Sequence, residues 1–233
     1  MLAVTTFSPM GYEQYAKRCL QSLVEHFPGK VVAYVEEPVT LEGVEFREMP
    51  SGIAPYLERI SKKPGTDGQM PDGYDYRYDC RKFCRKVFVQ DAVFDEDQYV
   101  FWFDADSFLL QDVPEHFMAA LVGEFPFAYL GRKGPQAYTE TGFLGFNTKN
   151  PDFAAFRAKY LDYFTSGRIF SQLKGWHDCI AFDYAREGIN GHNLSPQGHG
   201  VGNVIGESKV GKYIVHLKGA RKFSDKHLRR AAQ

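Results

Sequence analysis

The sequence predicts an α/β fold, a mixed and mostly parallel sheet flanked by helices. Two patterns point there. The chain opens with a strand, helix, strand unit, and short apolar runs then alternate with helical spacing along its length. A length of 233 residues with 44% hydrophobic and 24% charged residues suits a packed globular chain and excludes a disordered or fibrous one.

Leu2 to Ser8 (LAVTTFS) is a β-type run ending in small hydroxyl residues. Tyr12 to Phe27 follows, with apolar residues at Tyr15, Cys19, Leu20, Leu23 and Phe27, the spacing of a helix. Pro28-Gly29 then introduces a second strand, Val31 to Glu37. Such a unit builds a parallel sheet. Ser61 to Asp75 (SKKPGTDGQMPDGYD) reads as a long surface loop. Tyr78 to Phe94 carries Phe83, Val87, Phe88 and Phe94 at helical positions, together with Arg81, Lys82, Arg85 and Lys86. Val100 to Phe103 is an apolar strand, and Phe125 to Gly131 and Gly142 to Asn147 are two more. Asn150-Pro151-Asp152 opens a helix to about Thr165, and Trp176 to Arg186 is helical. After a Gly-rich stretch from Gly188 to Gly206, Tyr213 to Gly219 supplies the last strand. There is neither an internal repeat nor a second-domain boundary, so one domain over residues 1–233 is expected.

Aromatic residues make up 15%, with 20 Phe and 14 Tyr but 2 Trp, which suits a sheet-rich core. No apolar stretch approaches the roughly 18 to 20 residues of a membrane span. The N-terminus lacks a basic segment ahead of its short apolar run, and Cys19, Cys80, Cys84 and Cys179 form no CxxC pair. A cytoplasmic protein with reduced thiols is expected.

The most informative segment is QYVFWFDADSFLLQDVP. Asp104-Ala105-Asp106 follows the apolar strand where it leaves the sheet, and α/β sheets bind ligands at the carboxyl ends of their strands. Two carboxylates spaced by one residue either form a solvated turn or place oxygen ligands on one divalent cation, which in turn neutralises a diphosphate. Acidic residues wedged between FWF and FLL favour the second reading.

FWFDADSFLL resembles the D-x-D segment of metal-dependent glycosyltransferases of the GT-A fold, which use nucleotide-diphosphate sugars. Gly142 to Asn147 (GFLGFN) resembles the family's glycine-containing segment on the acceptor side. Trp176-His177-Asp178 stands where the family has its acidic catalytic-base motif, and His216 where it has a C-terminal metal-binding histidine. His216, Gly219 and Lys222 also fit the H-x-x-G-x-x-K of glycogenin-like retaining enzymes, although Phe223-Ser224 stands where those have Pro-Trp. The resemblance runs from Leu2 to about Lys222 and implies a Rossmann-like GT-A domain.

It implies Mn²⁺ or Mg²⁺ held by Asp104, Asp106 and His216, and a UDP-sugar donor. Asp178 ranks first as catalytic base, implying inversion, and Glu140 in YTETGF second. Asp178 also suits the start of a helix, where a carboxylate is favourable, and His216 between Val215 and Leu217 also suits a core position. Donor contacts are expected at Thr5 and Thr6 on the first strand, at Glu36 ending the second, at Ala105 within the D-x-D, at Arg81 and Lys86, and at Gly219 and Lys222.

Tyr76 to Phe88, TETGFLGFN and GWHDCIAFD resemble the base J glucosyltransferase and its phage relatives, which act on hydroxymethylated pyrimidines in DNA. Charge bears on that acceptor. Lys and Arg number 28 against 29 Asp and Glu, a formal net charge of −1. Residues 209–233 hold eight basic residues against Asp225 alone, a net of +7, leaving −8 for the first 208. A cationic stripe beside the site suits a phosphate backbone, or else serves the donor diphosphate and solubility.

Overall fold

A computed structural model describes residues 1–134, 137–196 and 203–219. The opening unit forms as its pattern dictates: β1 (Leu2–Phe7), a helical run, then β2 (Lys30–Val35). Ser8 starts the helical run, its Oγ accepting the Gly11 N–H at 3.2 Å, with Pro9 at the first position. The run continues in three geometries, α1 (Pro9–Gly11), a π-helical segment (Tyr12–Ala16) and α2 (Lys17–His26).

Then come β3 (Val44–Glu48), α3 (Ile53–Ser61), β4 (Gln69–Met70), β5 (Gly73–Tyr74), a 3₁₀ turn (Tyr76–Tyr78) and α4 (Cys80–Val93). β6 (Tyr99–Phe103), β7 (Ser107–Leu109), α5 (Glu115–Val122), β8 (Phe127–Leu130) and β9 (Glu140–Asn147) form the middle of the chain. α6 (Phe153–Thr165), α7 (Ile169–Gln172), α8 (Asp178–Ala185), β10 (His192–Asn193), a 3₁₀ turn (Lys209–Lys212) and β11 (Ile214–His216) complete it.

Among the described residues seven strands make the central sheet, in the order β10-β8-β9-β6-β1-β2-β3. β1 runs parallel to both β2 and β6, β3 is parallel to β2, and β10 is parallel to β8. β9 alone opposes its neighbours β6 and β8. The sheet is therefore mixed and mostly parallel, with helices on both faces. Alternation along β6 divides the core: Val100 and Trp102 face a cluster built with α3, α4, α6 and α8, while Phe101 and Phe103 face one built with α2 and α5.

The structure adds elements to the sequence-based expectation, β7, α5, α7 and β10 among them. β3 and α3 are additional to it, although Ile53, Tyr56 and Ile60 sit at helical spacing and are all buried. The expected loop over 61–75 contains a two-residue hairpin, β4 against β5. The last strand does not enter the main sheet. β11 pairs antiparallel with β7 in a separate ribbon, His216 opposite Ser107 and Ile214 opposite Leu109. Among the described residues no helix is long and apolar enough to cross a membrane.

Two antiparallel pairings gather distant segments at the carboxyl end of β6. Because β9 runs against β6, its first residues lie there, and the Asp104 N–H donates to the Gly142 carbonyl at 2.9 Å. Because β11 runs against β7, His216 returns beside the Asp104–Asp106 turn, and the Leu217 N–H donates to the Asp106 carbonyl at 3.0 Å.

Candidate metal and catalytic site

Asp104 leaves the sheet at the end of β6 in a turn closed by the Ser107 N–H on its carbonyl at 2.8 Å. Its two carboxylate oxygens face different groups. Oδ1 accepts the Trp102 indole N–H at 2.8 Å and a Lys86 ammonium N–H at 3.0 Å. Oδ2 faces His216 Nε2 at 3.8 Å, and that same Nε2 lies 2.9 Å from Asp106 Oδ1. Burial pushes the Asp104 carboxyl up, but the Lys86 ammonium and the His216 ring beside it more than offset this and bring it down to about 2.

One oxygen from each Asp and one ring nitrogen of His216 lie within 4.8 Å of one another. Two hard oxygen donors and an imidazole in that space fit a divalent cation of the Mn²⁺ or Mg²⁺ kind. The ring seat is also built for the histidine. A Cβ on Gly142 would lie 2.5 Å from two atoms of the His216 ring, so glycine there leaves the imidazole its room.

Lys86 projects from α4 toward the sheet and is 5% exposed. Its ammonium has three N–H donors and meets three acceptors: Asp104 Oδ1 at 3.0 Å, the Thr141 carbonyl at 2.5 Å and Asp178 Oδ2 at 2.8 Å. It also stands 5.0 Å from the centre of the Trp102 ring. Burial alone would lower its pKa, yet Asp104 and Asp178 hold it above the ordinary lysine value, so it stays charged.

Asp178 occupies the first turn of α8 and is 1% exposed. The cap position falls on His177, which makes no capping hydrogen bond, so Asp178 is a first-turn carboxylate rather than a cap. Its Oδ2 holds Lys86 and accepts the Thr141 hydroxyl at 2.6 Å. His177, Asp178 and Cys179 also bring three donor atoms together, but burial and the neighbouring Asp178 push the Cys179 thiol well above its ordinary range, away from the thiolate that a metal needs. His177 packs among Tyr76, Phe83 and Tyr138, and burial lowers its pKa.

Glu140, at the start of β9, is buried behind His216. Oε2 takes Arg132 at 2.5 Å and the Lys218 ammonium, while Oε1 accepts the Gly142 N–H at 3.0 Å and lies 3.8 Å from His216 Nδ1. Burial pushes this carboxyl up, yet Lys218, His216 and Arg132 bring it down to about 2. Arg132, Lys218 and the His216 ring thus surround this carboxylate.

No known family profile and no curated protein matches the chain. Solved structures do. The apo form of the glycosyltransferase GlyE of Streptococcus pneumoniae superposes over 84% of this chain with a TM-score of 0.51 at 14% identity. The chain has the GlyE fold. It spans 45% of the GlyE chain's length. Mouse xyloside xylosyltransferase 1 aligns with 80% of this chain and 81% of its own at a TM-score of 0.45 and 11% identity. The bifunctional glycosyltransferase WbbM aligns with 79% of this chain and 37% of its own at a TM-score of 0.45 and 11% identity.

The remaining expected donor contacts divide in two. Thr5, fully buried on β1, has a hydroxyl with no hydrogen-bond partner among the described residues, whereas the Thr6 hydroxyl donates to the Tyr34 carbonyl at 2.8 Å. Ala105 is buried between the two Asp residues, and Gly219 has a φ of +59° in open space. Glu36 pairs with Arg85 at 2.6 Å on the surface. Arg81 is turned toward the segment before α4, its guanidinium donating to Thr66 Oγ1 at 3.0 Å and to the Ser61 carbonyl at 3.2 Å. The structure therefore separates Arg81 from Lys86, because only one of the two lies on the helix face that meets the sheet. Lys222, with Arg221, Lys226, Arg229 and Arg230 of the basic tail, lies outside the described residues.

Sequence reasoning missed Trp102, Thr141 and Arg132. The first two are legible only as core-type residues in strands, and nothing local marks them as partners of Asp104 and Asp178.

Proposed function

We propose that the protein is a glycosyltransferase that moves a sugar from a nucleotide-diphosphate sugar to an acceptor hydroxyl. The supporting observation is the convergence of Asp104, Asp106 and His216 at the carboxyl end of a central strand, in a fold shared with GlyE. Asp104, Asp106 and His216 would hold Mn²⁺ or Mg²⁺, which when bound neutralises charge on the departing diphosphate. Thr5 and Thr6 on β1 and Glu36 just after β2 would contact the nucleoside, and Lys222 would meet the diphosphate.

In the transfer, the acceptor oxygen forms a bond to the anomeric carbon while the bond from that carbon to the diphosphate oxygen breaks. The acceptor proton passes to Asp178. Its Oδ2 is taken by Lys86 and Thr141 and its Oδ1 faces the Cys179 thiol at 3.8 Å, so Oδ1 is the oxygen that would receive it. Direct attack of this kind inverts the anomeric centre, and a proton NMR spectrum of the first product reports it. Asp106→Ala should abolish release of UDP from UDP-glucose while the circular dichroism spectrum stays native. Wild-type turnover in that variant would remove the metal assignment.

For the acceptor we propose a hydroxymethylated pyrimidine in DNA. The sequence supports this through the segments at Tyr76 to Phe88, Thr139 to Asn147 and Gly175 to Asp183, and through the +7 charge of residues 209–233. The assay is incubation of UDP-sugars with DNA containing 5-hydroxymethylcytosine or 5-hydroxymethyluracil, followed by nucleoside mass spectrometry. A glycosylated nucleoside is expected; transfer to saccharides alone would assign the enzyme to glycan acceptors.

A further inference from the structure

We propose that Glu140 is a positioning residue: its Oε1 accepts a hydrogen bond from Nδ1–H of His216 and so aims the lone pair of Nε2 at the cation held with Asp104 and Asp106. The inference rests on the reading of those three residues as metal ligands.

Four observations carry it. His216 is 5% exposed, and its Nδ1 is a buried ring nitrogen without a hydrogen-bond partner among the described residues. A buried polar atom of this kind is costly unless it is satisfied in the working state. Nε2 faces Asp106 Oδ1 at 2.9 Å and Asp104 Oδ2 at 3.8 Å, so Nδ1 points the other way, where Glu140 Oε1 lies at 3.8 Å. The oxygens of Glu140 are divided. Oε2 is taken by Arg132 and Lys218, whereas among the described residues Oε1 accepts the Gly142 N–H at 3.0 Å and keeps a lone pair.

Gly142 completes the device. The residue whose N–H fixes Oε1 is also the one whose missing Cβ gives the ring its seat. A shift of the ring by about one ångström brings Nδ1 into hydrogen-bond range. An imidazole that binds a cation through Nε2 must carry its proton on Nδ1, and a carboxylate behind it holds that tautomer and orientation. Glu140 is thereby assigned to the metal side of the site rather than to proton abstraction.

The test is a titration of Mn²⁺, with and without UDP, followed by the electron paramagnetic resonance of the free ion. It is run on wild type, Glu140→Gln, Asp106→Ala and His216→Ala. Glu140→Gln should weaken Mn²⁺ binding about tenfold or more. A merely structural role is separated by the ¹⁵N spectrum of the histidine rings in the Zn²⁺-loaded protein. In wild type, His216 should show a ligated Nε2 and a hydrogen-bonded proton on Nδ1, and that proton's signal should move in Glu140→Gln.

Unchanged affinity and unchanged ring signals in Glu140→Gln, with Mn²⁺ lost in Asp106→Ala and His216→Ala, would overturn the role of Glu140 alone. Mn²⁺ binding retained in Asp106→Ala and His216→Ala would overturn the metal reading beneath it. If Glu140→Gln does not fold, the wild-type ring decides: a proton on Nε2 and none on Nδ1 in the Zn²⁺ form refutes the proposal.

Discussion

A Cβ on Gly142 would stand 2.5 Å from Cε1 and Nδ1 of His216, closer than any real contact of that kind. Gly145, three residues further along β9, is equally intolerant for a different reason, its Cβ meeting Val122 at 2.7 Å and Phe101 at 3.0 Å in the core. The two positions separate site from packing. Gly142→Ala should displace the imidazole and abolish Mn²⁺ binding with little loss of stability. Gly145→Ala should lower stability by about 1–3 kcal/mol through overpacking and leave the Mn²⁺ affinity of the folded protein intact. Urea unfolding and Mn²⁺ titration of both variants check this. In the sequence the two are simply the glycines of GFLGFN. Their difference lies in what stands opposite each, which local pattern does not encode.

At the scale of elements, α4 brings charge into the core. Arg81 and Lys86 read alike on a basic helix, yet Arg81 serves the connection to α3 and Lys86 is sealed between Asp104 and Asp178. Removing one member of a buried ion pair leaves the other uncompensated. Lys86→Met should therefore destabilise the protein by about 3–5 kcal/mol in urea unfolding, and adding Asp178→Asn should recover part of that. Full stability in Lys86→Met would show that water already solvates Asp178. The β7–β11 ribbon is the second such element. Its register sets His216 opposite Ser107, next to Asp106, so strand pairing rather than proximity in the chain assembles the three metal-facing groups.

For the molecule as a whole, the buried cluster makes stability depend on acid. Glu140 is held well below the usual carboxylate range by Lys218, His216 and Arg132 against its burial. A depressed carboxyl contributes stability that is complete above its unfolded pKa and is lost as pH falls through the folded one. For Glu140 the window runs from roughly pH 5 down to about 2. The melting temperature of wild type should fall across that window, and Glu140→Gln should show a shallower fall, as differential scanning calorimetry at stepped pH would record. Parallel acid limbs in the two proteins would remove Glu140 from the linkage.

By itself the sequence determined the α/β class, the strand that ends in Asp104-Ala105-Asp106, and the helix beginning near Asp178. These follow from hydrophobic periodicity, turn residues and the oddity of carboxylates beside apolar runs, all of which act within a few residues. The net charge of −1 likewise resolved, along the chain, into an acidic body and a basic tail. Only the tertiary structure decided that β11 leaves the main sheet to pair with β7, that Lys86 bridges Asp104 and Asp178, and that Glu140 stands behind His216. Those facts depend on which element packs against which. A lysine on a polar helix face and a lysine aimed into a core carry the same local pattern, and only the carboxylates that the sheet delivers to it tell them apart.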